Sequence, residues 1–149
     1  MVGGERKSPG PGAQGEVGKG LWCPVRRKYL ADRPEERVRL RVIETLRARG
    51  YPLSAIQAEY QIGEAGRFDI AVFTRSGEIW MLVECKHALP GRAQTDLVLA
   101  ARAQVGRYAH ALQKRWKVHY LGIAVGDQLY CVHYPTGQWI REIPPYPAH

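Results

Sequence analysis

The distribution of apolar positions divides the chain into a leader and a patterned remainder. Residues 1–20, MVGGERKSPGPGAQGEVGKG, carry seven glycines and two prolines and offer almost nothing to bury, so they read as a flexible leader. Large apolar residues begin at Leu21-Trp22, and residues 21–149 read as one domain. A helical period starts after Arg33. Asp32 reads as its cap, Pro34 as a first-turn residue, and Glu35-Glu36 as acids that complement the positive helix end. Val38, Val42, Ile43 and Leu46 form the apolar stripe, and Gly50 supplies the stop. Strand-like runs follow at Ala58–Ile62, Phe68–Thr74 and Glu78–Lys86, the last two joined by a Ser76-Gly77 turn. A Pro/Gly loop leads to a second helix over about Asp96–Arg115. Val118–Val125, a Gly126-Asp127 turn, Gln128–Tyr134 and an edge segment around Trp139–Ile143 complete the chain. The order α-β-β-β-α-β-β predicts an α/β protein of the α+β kind: a mixed sheet with helices packed against it.

Composition adds a partner class. The chain has 149 residues, 45% hydrophobic and 24% charged, enough for a core without disulfide or metal staples. Its 22 Lys+Arg against 14 Asp+Glu leave a formal charge of +8, which favours a polyanionic partner such as nucleic acid. The three cysteines, Cys23, Cys85 and Cys131, form no C-x-x-C pair, and a reducing, cytoplasmic setting suits them. Cys131 and His133 share a strand face, but two ligands do not make a metal site. No apolar run is long enough to span a bilayer, so a membrane partner is not expected.

The candidate chemistry lies in Arg67-Phe68-Asp69-Ile70 and Val83-Glu84-Cys85-Lys86. Strict alternation puts Trp80, Leu82, Glu84 and Lys86 on one face of their strand and Met81, Val83 and Cys85 on the other. Asp69 is expected to open the neighbouring antiparallel strand, and a short hairpin returns Glu84 to it. Two carboxylates that meet beside a lysine repel one another. A divalent cation such as Mg²⁺, for which Mn²⁺ can substitute, relieves that conflict, with Asp69, Glu84 and the main-chain carbonyl of Cys85 as oxygen ligands. Lys86 then stands close enough to hold an attacking water and offset phosphate charge. The same spacing also fits a surface Glu–Lys pair and an unrelated strand-opening Asp.

Each helix contributes polar residues to the question. In the second, Leu97, Ala101, Gln104, Tyr108 and Ala111 recur with helical spacing, which makes Gln104 a polar residue on an inward stripe or a core glutamine satisfied by backbone. In the first, Glu35 falls near the stripe centre with Arg39, and Glu36 falls at its edge. Both acids suit a capping role, and either can complete a metal site.

These residues, taken in series, resemble a family. Cys23-Pro24-Val25-Arg26-Arg27-Lys28-Tyr29-Leu30 and Arg33-Pro34-Glu35-Glu36-Arg37-Val38-Arg39 resemble the opening of the nuclease domain at the N-terminus of type I restriction enzyme R subunits. Gly50-Tyr51-Pro52, Glu59, Arg67-x-Asp69-Ile70, Val83-Glu84-Cys85-Lys86 and Gln104-x-x-x-Tyr108 continue the likeness over roughly residues 22–146. The resemblance implies a restriction-endonuclease-like core of the PD-(D/E)xK superfamily, here with an extra C-terminal β segment. It implies that Asp69 and Glu84 are metal ligands, Lys86 the catalytic lysine, and Gln104 and Tyr108 an element that orients site and nucleic acid. It also brings an acid from the first helix to the site, Glu35 or Glu36. Two departures stand out: Phe68 replaces the proline of the family motif, and Ala124-Val125-Gly126-Asp127 stands where Thr-Asn-Gly is common. No G-x-x-x-x-G-K-S/T occurs, so no ATP-driven motor is expected of this chain.

The expectation is therefore a Mg²⁺-dependent nuclease domain acting on DNA phosphodiesters, alone or beside a separate helicase or methyltransferase in a restriction or repair system. Arg39, Arg67 and Tyr108 are the expected nucleic-acid contacts, with basic patches at Arg26–Lys28, Arg37–Arg41 and Lys114–Lys117 on backbone phosphates. The competing expectations are a non-catalytic nucleic-acid-binding module of the same fold and an interaction protein with a solvated basic face.

Overall fold

A computed structural model of the chain describes residues 20–64 and 66–148; all of the expected leader but Gly20 lies outside them. Two short strands come first, β1 (Leu21–Cys23) and β2 (Lys28–Leu30), paired antiparallel as a hairpin. The apolar pattern shows no sign of them, because three-residue strands are too short to display a period. Helix α1 spans Pro34–Ala48 and buries the predicted Val38, Val42, Ile43 and Leu46. Its cap differs from expectation. Arg33 is the N-cap and makes no side-chain cap bond. Asp32 instead accepts from Arg37, at 2.6 Å from Nε, because a guanidinium one turn into the helix is a stronger partner than a backbone amide.

A 3-10 turn at Leu53–Ala55 leads into β3 (Ile56–Ile62), then β4 (Gly66–Phe73) and β5 (Ile79–Lys86). The turn between β4 and β5 closes where predicted: Thr74 N–H donates to Glu78 O, and Gly77 takes φ +90°. Helix α2 (Gln94–Leu112) crosses to β6 (Val118–Val125), followed by β7 (Gln128–His133) and β8 (Gln138–Ile140). The six-stranded sheet runs β3-β4-β5-β6-β7-β8. Every neighbouring pair is antiparallel except β5 and β6, which α2 connects in parallel. A parallel pair needs such a crossover.

The sheet has a core on each side. On one, α2 packs Leu97, Val98, Ala101, Val105, Ala109 and Leu112 onto Phe68, Ala71, Leu82, Leu121 and Ile123. On the other, α1 packs onto Ile70, Val72, Met81, Val83 and Ala124. The second face is tight at Gly122, where a Cβ would meet Val83 Cγ2 at 3.0 Å. Trp80 departs from strict alternation. It packs with Met81 and Val83 on the α1 side, because the β4–β5 register shifts between Val72 and Phe73 and skips it. No helix among the described residues is long and apolar enough to cross a membrane.

Candidate functional site

The sheet divides at the residues that the sequence marks out. Pairing of β4 with β5 runs from Phe73 opposite Ile79 to Ile70 opposite Val83 and stops there. From that point β4 continues alongside β3 as far as Gly66, while β5 continues alongside β6 as far as Lys86. Asp69 is thus an interior residue of β4 at the fork, rather than the first residue of a strand. The Cys85 N–H has lost its β4 carbonyl partner and donates instead to Asp69 Oδ2 at 2.8 Å. A carboxylate that replaces a backbone acceptor satisfies a donor that would otherwise be orphaned.

Glu84 lies beside it. The residue is 6% exposed, and its carboxyl is close enough to Asp69 to feel that charge. Lys86 Nζ stands 3.4 Å from Glu84 Oε2. Burial first, and the charge of Asp69 second, push the Glu84 carboxyl up to about 7, against the opposing pull of Lys86. The Lys86 side chain remains more than a third exposed, so its ammonium reaches solvent beside a buried acid pair.

Helix α1 contributes an arginine where the sequence suggested an acid. Arg39 Nε donates to Asp69 Oδ1 at 2.8 Å, and its Nη1 lies 3.1 Å from Glu36 Oε2. Burial alone would lower the Arg39 pKa; the charges of Asp69 and Glu36 outweigh burial and raise it. Glu36 turns to two arginines. Besides Arg39 it receives Arg26 Nη2 at 2.7 Å, and these partners overcome burial to hold its carboxyl below the usual range. Arg26, from the turn between β1 and β2, also reaches Glu59 Oε2 at 2.8 Å and the Cys23 sulfur. The result is a chain of alternating charge, Glu59–Arg26–Glu36–Arg39–Asp69, that leads from β3 through α1 to the fork.

Glu59 occupies an unusual backbone position. It lies between Ala58, paired with Ile70, and Tyr60, paired with Phe68, so it stands across from Asp69. Its φ is +50°, a left-handed value that costs a non-glycine residue about 1–2 kcal/mol. Arg26 and Glu59 are the partners that sequence reasoning missed. Both stand in the segments quoted for the family likeness, but only the folded chain brings them together, at separations of 10 and 33 residues from their partners.

The remaining expected residues are spread around this centre. Glu35 is exposed on α1, so of the two helix-one acids it is Glu36 that faces the fork network. Gln104 is half-buried at the margin of α2, rather than on its inward stripe, and Ala111 is exposed. The buried line instead follows Val98, Ala101, Val105, Ala109 and Leu112, an equally regular line turned about 80° around the helix axis from the one through Gln104. Tyr108 stands edge-to-face with Phe68, ring centroids 5.3 Å apart, and lies against Gly66, where a Cβ would meet its ring at 3.6 Å. Arg67 is exposed on β4. Arg39 is committed to two carboxylates, which leaves it little charge to offer a phosphate. Cys131 is buried, and His133 bonds Thr136 instead of turning to the cysteine.

Two side-chain carboxylates, one main-chain carbonyl and a lysine are therefore what the fork supplies. Among the described residues, no group of three or more His, Cys, Asp or Glu side chains converges in a metal-holding arrangement. Of the two first-helix acids expected at the site, Glu36 lies beside it and is held by Arg26 and Arg39. The oxygen donor set still suits a hard cation, because two adjoining carboxylates repel until a positive charge comes between them.

No curated protein matches the chain. A model of the type I restriction enzyme R protein N terminus does match, over residues 34–145, a span that takes in α1, the fork and the whole sheet. By that match the chain belongs to the family of type I restriction enzyme R protein N-termini.

Proposed function

We propose that this domain is a metal-dependent nuclease of the PD-(D/E)xK kind that hydrolyses DNA phosphodiester bonds. The observation that carries the reading is the meeting of Asp69 and Glu84 at the fork, with Lys86 3.4 Å from Glu84. A buried like-charge pair destabilises a fold unless a cation or proton offsets it, and a nuclease has a use for one. Asp69, Glu84 and the Cys85 carbonyl would hold Mg²⁺ or Mn²⁺, which when bound polarises a phosphate oxygen and makes water a better nucleophile.

The chain's own groups do the rest. Lys86 orients the attacking water and neutralises charge on the phosphate as the water oxygen bonds to phosphorus and the ester P–O bond breaks. Arg39 fixes the rotamer of Asp69 through its Oδ1, and the Cys85 amide fixes Oδ2. Glu36 and Arg26 hold Arg39 in turn, so Arg39 acts as a positioning residue rather than a phosphate contact. Gln104, half-buried on α2, and Arg67, exposed two residues from Asp69, would meet the nucleic acid. The domain would work beside a separate helicase or methyltransferase partner.

The test is incubation of the purified protein with plasmid, single-stranded and branched DNA, in Mg²⁺ or Mn²⁺ against EDTA. Metal-dependent cleavage is expected, lost in Asp69→Ala and Lys86→Ala while DNA binding persists. Cleavage that survives both substitutions overturns the assignment. One observation favours a second reading, a binding module of the same fold: both Asp69 oxygens already accept N–H donors. Salt-sensitive binding with no cleavage on any of these substrates would select that reading.

A further inference from the structure

The opposite end of α2 carries charge of a different kind. Just past Leu112 the chain forms an open pocket of about 460 Å³, lined by Gln113, Lys114, Arg115, Trp116, Lys117 and Tyr134 among others. Its volume falls within the range of about 300–1,000 Å³ usual for ligand clefts. No acid lines it. None of Lys114, Arg115 and Lys117 forms an ion pair among the described residues. In the other two basic segments, by contrast, Arg26, Arg37 and Arg39 are tied to carboxylates and only part of the charge stays unpaired.

Aromatic rings lead away from the pocket. Trp116, 37% exposed, stands 6.2 Å from Phe73, and Phe73 stands 5.6 Å from Tyr60, itself 40% exposed. Tyr60 pairs with Phe68 and follows Glu59, so the row of rings runs from the pocket to the strand that borders the fork. Exposed rings lined up beside unpaired cations suit a polymer that has both phosphates and open base faces. A duplex hides those faces within its stack, and only an unpaired strand presents them to a side chain.

We propose that this pocket and its row of rings bind single-stranded DNA. Lys114, Arg115 and Lys117 take backbone phosphates, a base stacks on Trp116, and the strand follows Phe73 and Tyr60 toward the fork. The choice of DNA as the polymer rests on the nuclease reading; the preference for an unpaired strand rests on the rings and the free cations. Helix α2 has 19 residues and so is about 28 Å long, and a strand held at both ends of the site spans that distance.

The experiment measures fluorescence anisotropy of a labelled oligothymidylate of about 20 nucleotides, and of a duplex of equal length, in EDTA so that nothing is cleaved. The wild-type protein is expected to hold the single strand more tightly. Trp116→Ala should weaken the single strand about ten-fold, the loss of one stacked base, and leave duplex affinity unchanged. Trp116→Phe should restore part of that loss, which a folding defect would not permit. The double variant Lys114→Glu, Lys117→Glu, which changes only exposed groups, should reduce the salt dependence of single-strand binding by about 1.4 in log–log slope, as expected for two lost phosphates. Equal affinity for both DNAs, or a single-strand affinity indifferent to Trp116 and to the double variant, overturns the proposal. Binding is read in EDTA, where no cleavage occurs. A failure of the nuclease reading would therefore appear in cleavage, and a failure of this one in binding without metal.

Discussion

The two ends of this sheet handle charge in opposite ways. At the fork, acids and arginines are half-buried and almost wholly committed to one another: Glu59 to Arg26, Arg26 to Glu36, Glu36 to Arg39 and Arg39 to Asp69. At the end of α2, three cations stand exposed with no acid among the residues that line their pocket. Charges of the first kind fix geometry, because moving one leaves its partner unpaired out of water. Charges of the second kind do little for the fold and remain available to an outside anion. Part of the domain's surplus of +8 is thus open to an outside anion at the end of α2, well apart from the committed network at the fork.

Breaking the committed end should have the largest effect on stability. Arg39→Ala removes the cation paired with Asp69, whose side chain is 14% exposed, while Glu36 keeps Arg26; it should cost about 2–3 kcal/mol in urea unfolding. Next comes Glu84. Its native carboxyl titrates near 7, against 4.5 for an unperturbed group, so the native state binds the proton more tightly than the unfolded chain does. The associated stability is present below pH 4.5 and is lost as pH rises toward 7. The metal-free protein should therefore lose on the order of 2 kcal/mol across that window. Glu84→Gln should flatten the profile, and Mg²⁺ at pH 8 should raise the melting temperature of the wild type but not of the variant. Metal that stabilises both equally would place the ion elsewhere.

Smaller effects sharpen the contrast. Glu59→Gly relieves a left-handed backbone but removes an ion pair whose acid is 37% exposed. These terms, each about 1 kcal/mol, should nearly cancel in unfolding measurements. If Glu59 helps to hold Asp69 through Arg26 and Glu36, cleavage should fall while stability does not. The charge reversal Lys114→Glu, Lys117→Glu should leave thermal stability within about 0.5 kcal/mol of the wild type. A larger loss would mean that these lysines have partners in the fold and are not free for DNA.

The α1 stripe, the β4–β5 turn and β6 are well placed from periodicity and turn chemistry alone, because each depends on neighbours within a few residues. Four buried side chains of α1 and both ends of β6 agree with the pattern. Where reading failed, the outcome turned on a partner or a packing face that periodicity does not register. Asp32 pairs with Arg37 instead of capping, Trp80 changes face at a register shift, and the stripe of α2 centres on Val105 rather than Gln104.

At the candidate site the division is the same. The residue types Asp69, Glu84 and Lys86 and their separation along a hairpin are contained in the sequence, since strand pairing of nearby segments returns Glu84 to Asp69. The partners of those residues are not. That β4 and β5 diverge after Ile70, that the Cys85 amide then turns to Asp69, and that Glu36 joins Arg26 and Arg39 rather than the acids all follow from how α1 and the first hairpin pack on the sheet. Side chains tens of residues apart meet only when the core closes, and no local spacing encodes which opposite charge each one will find.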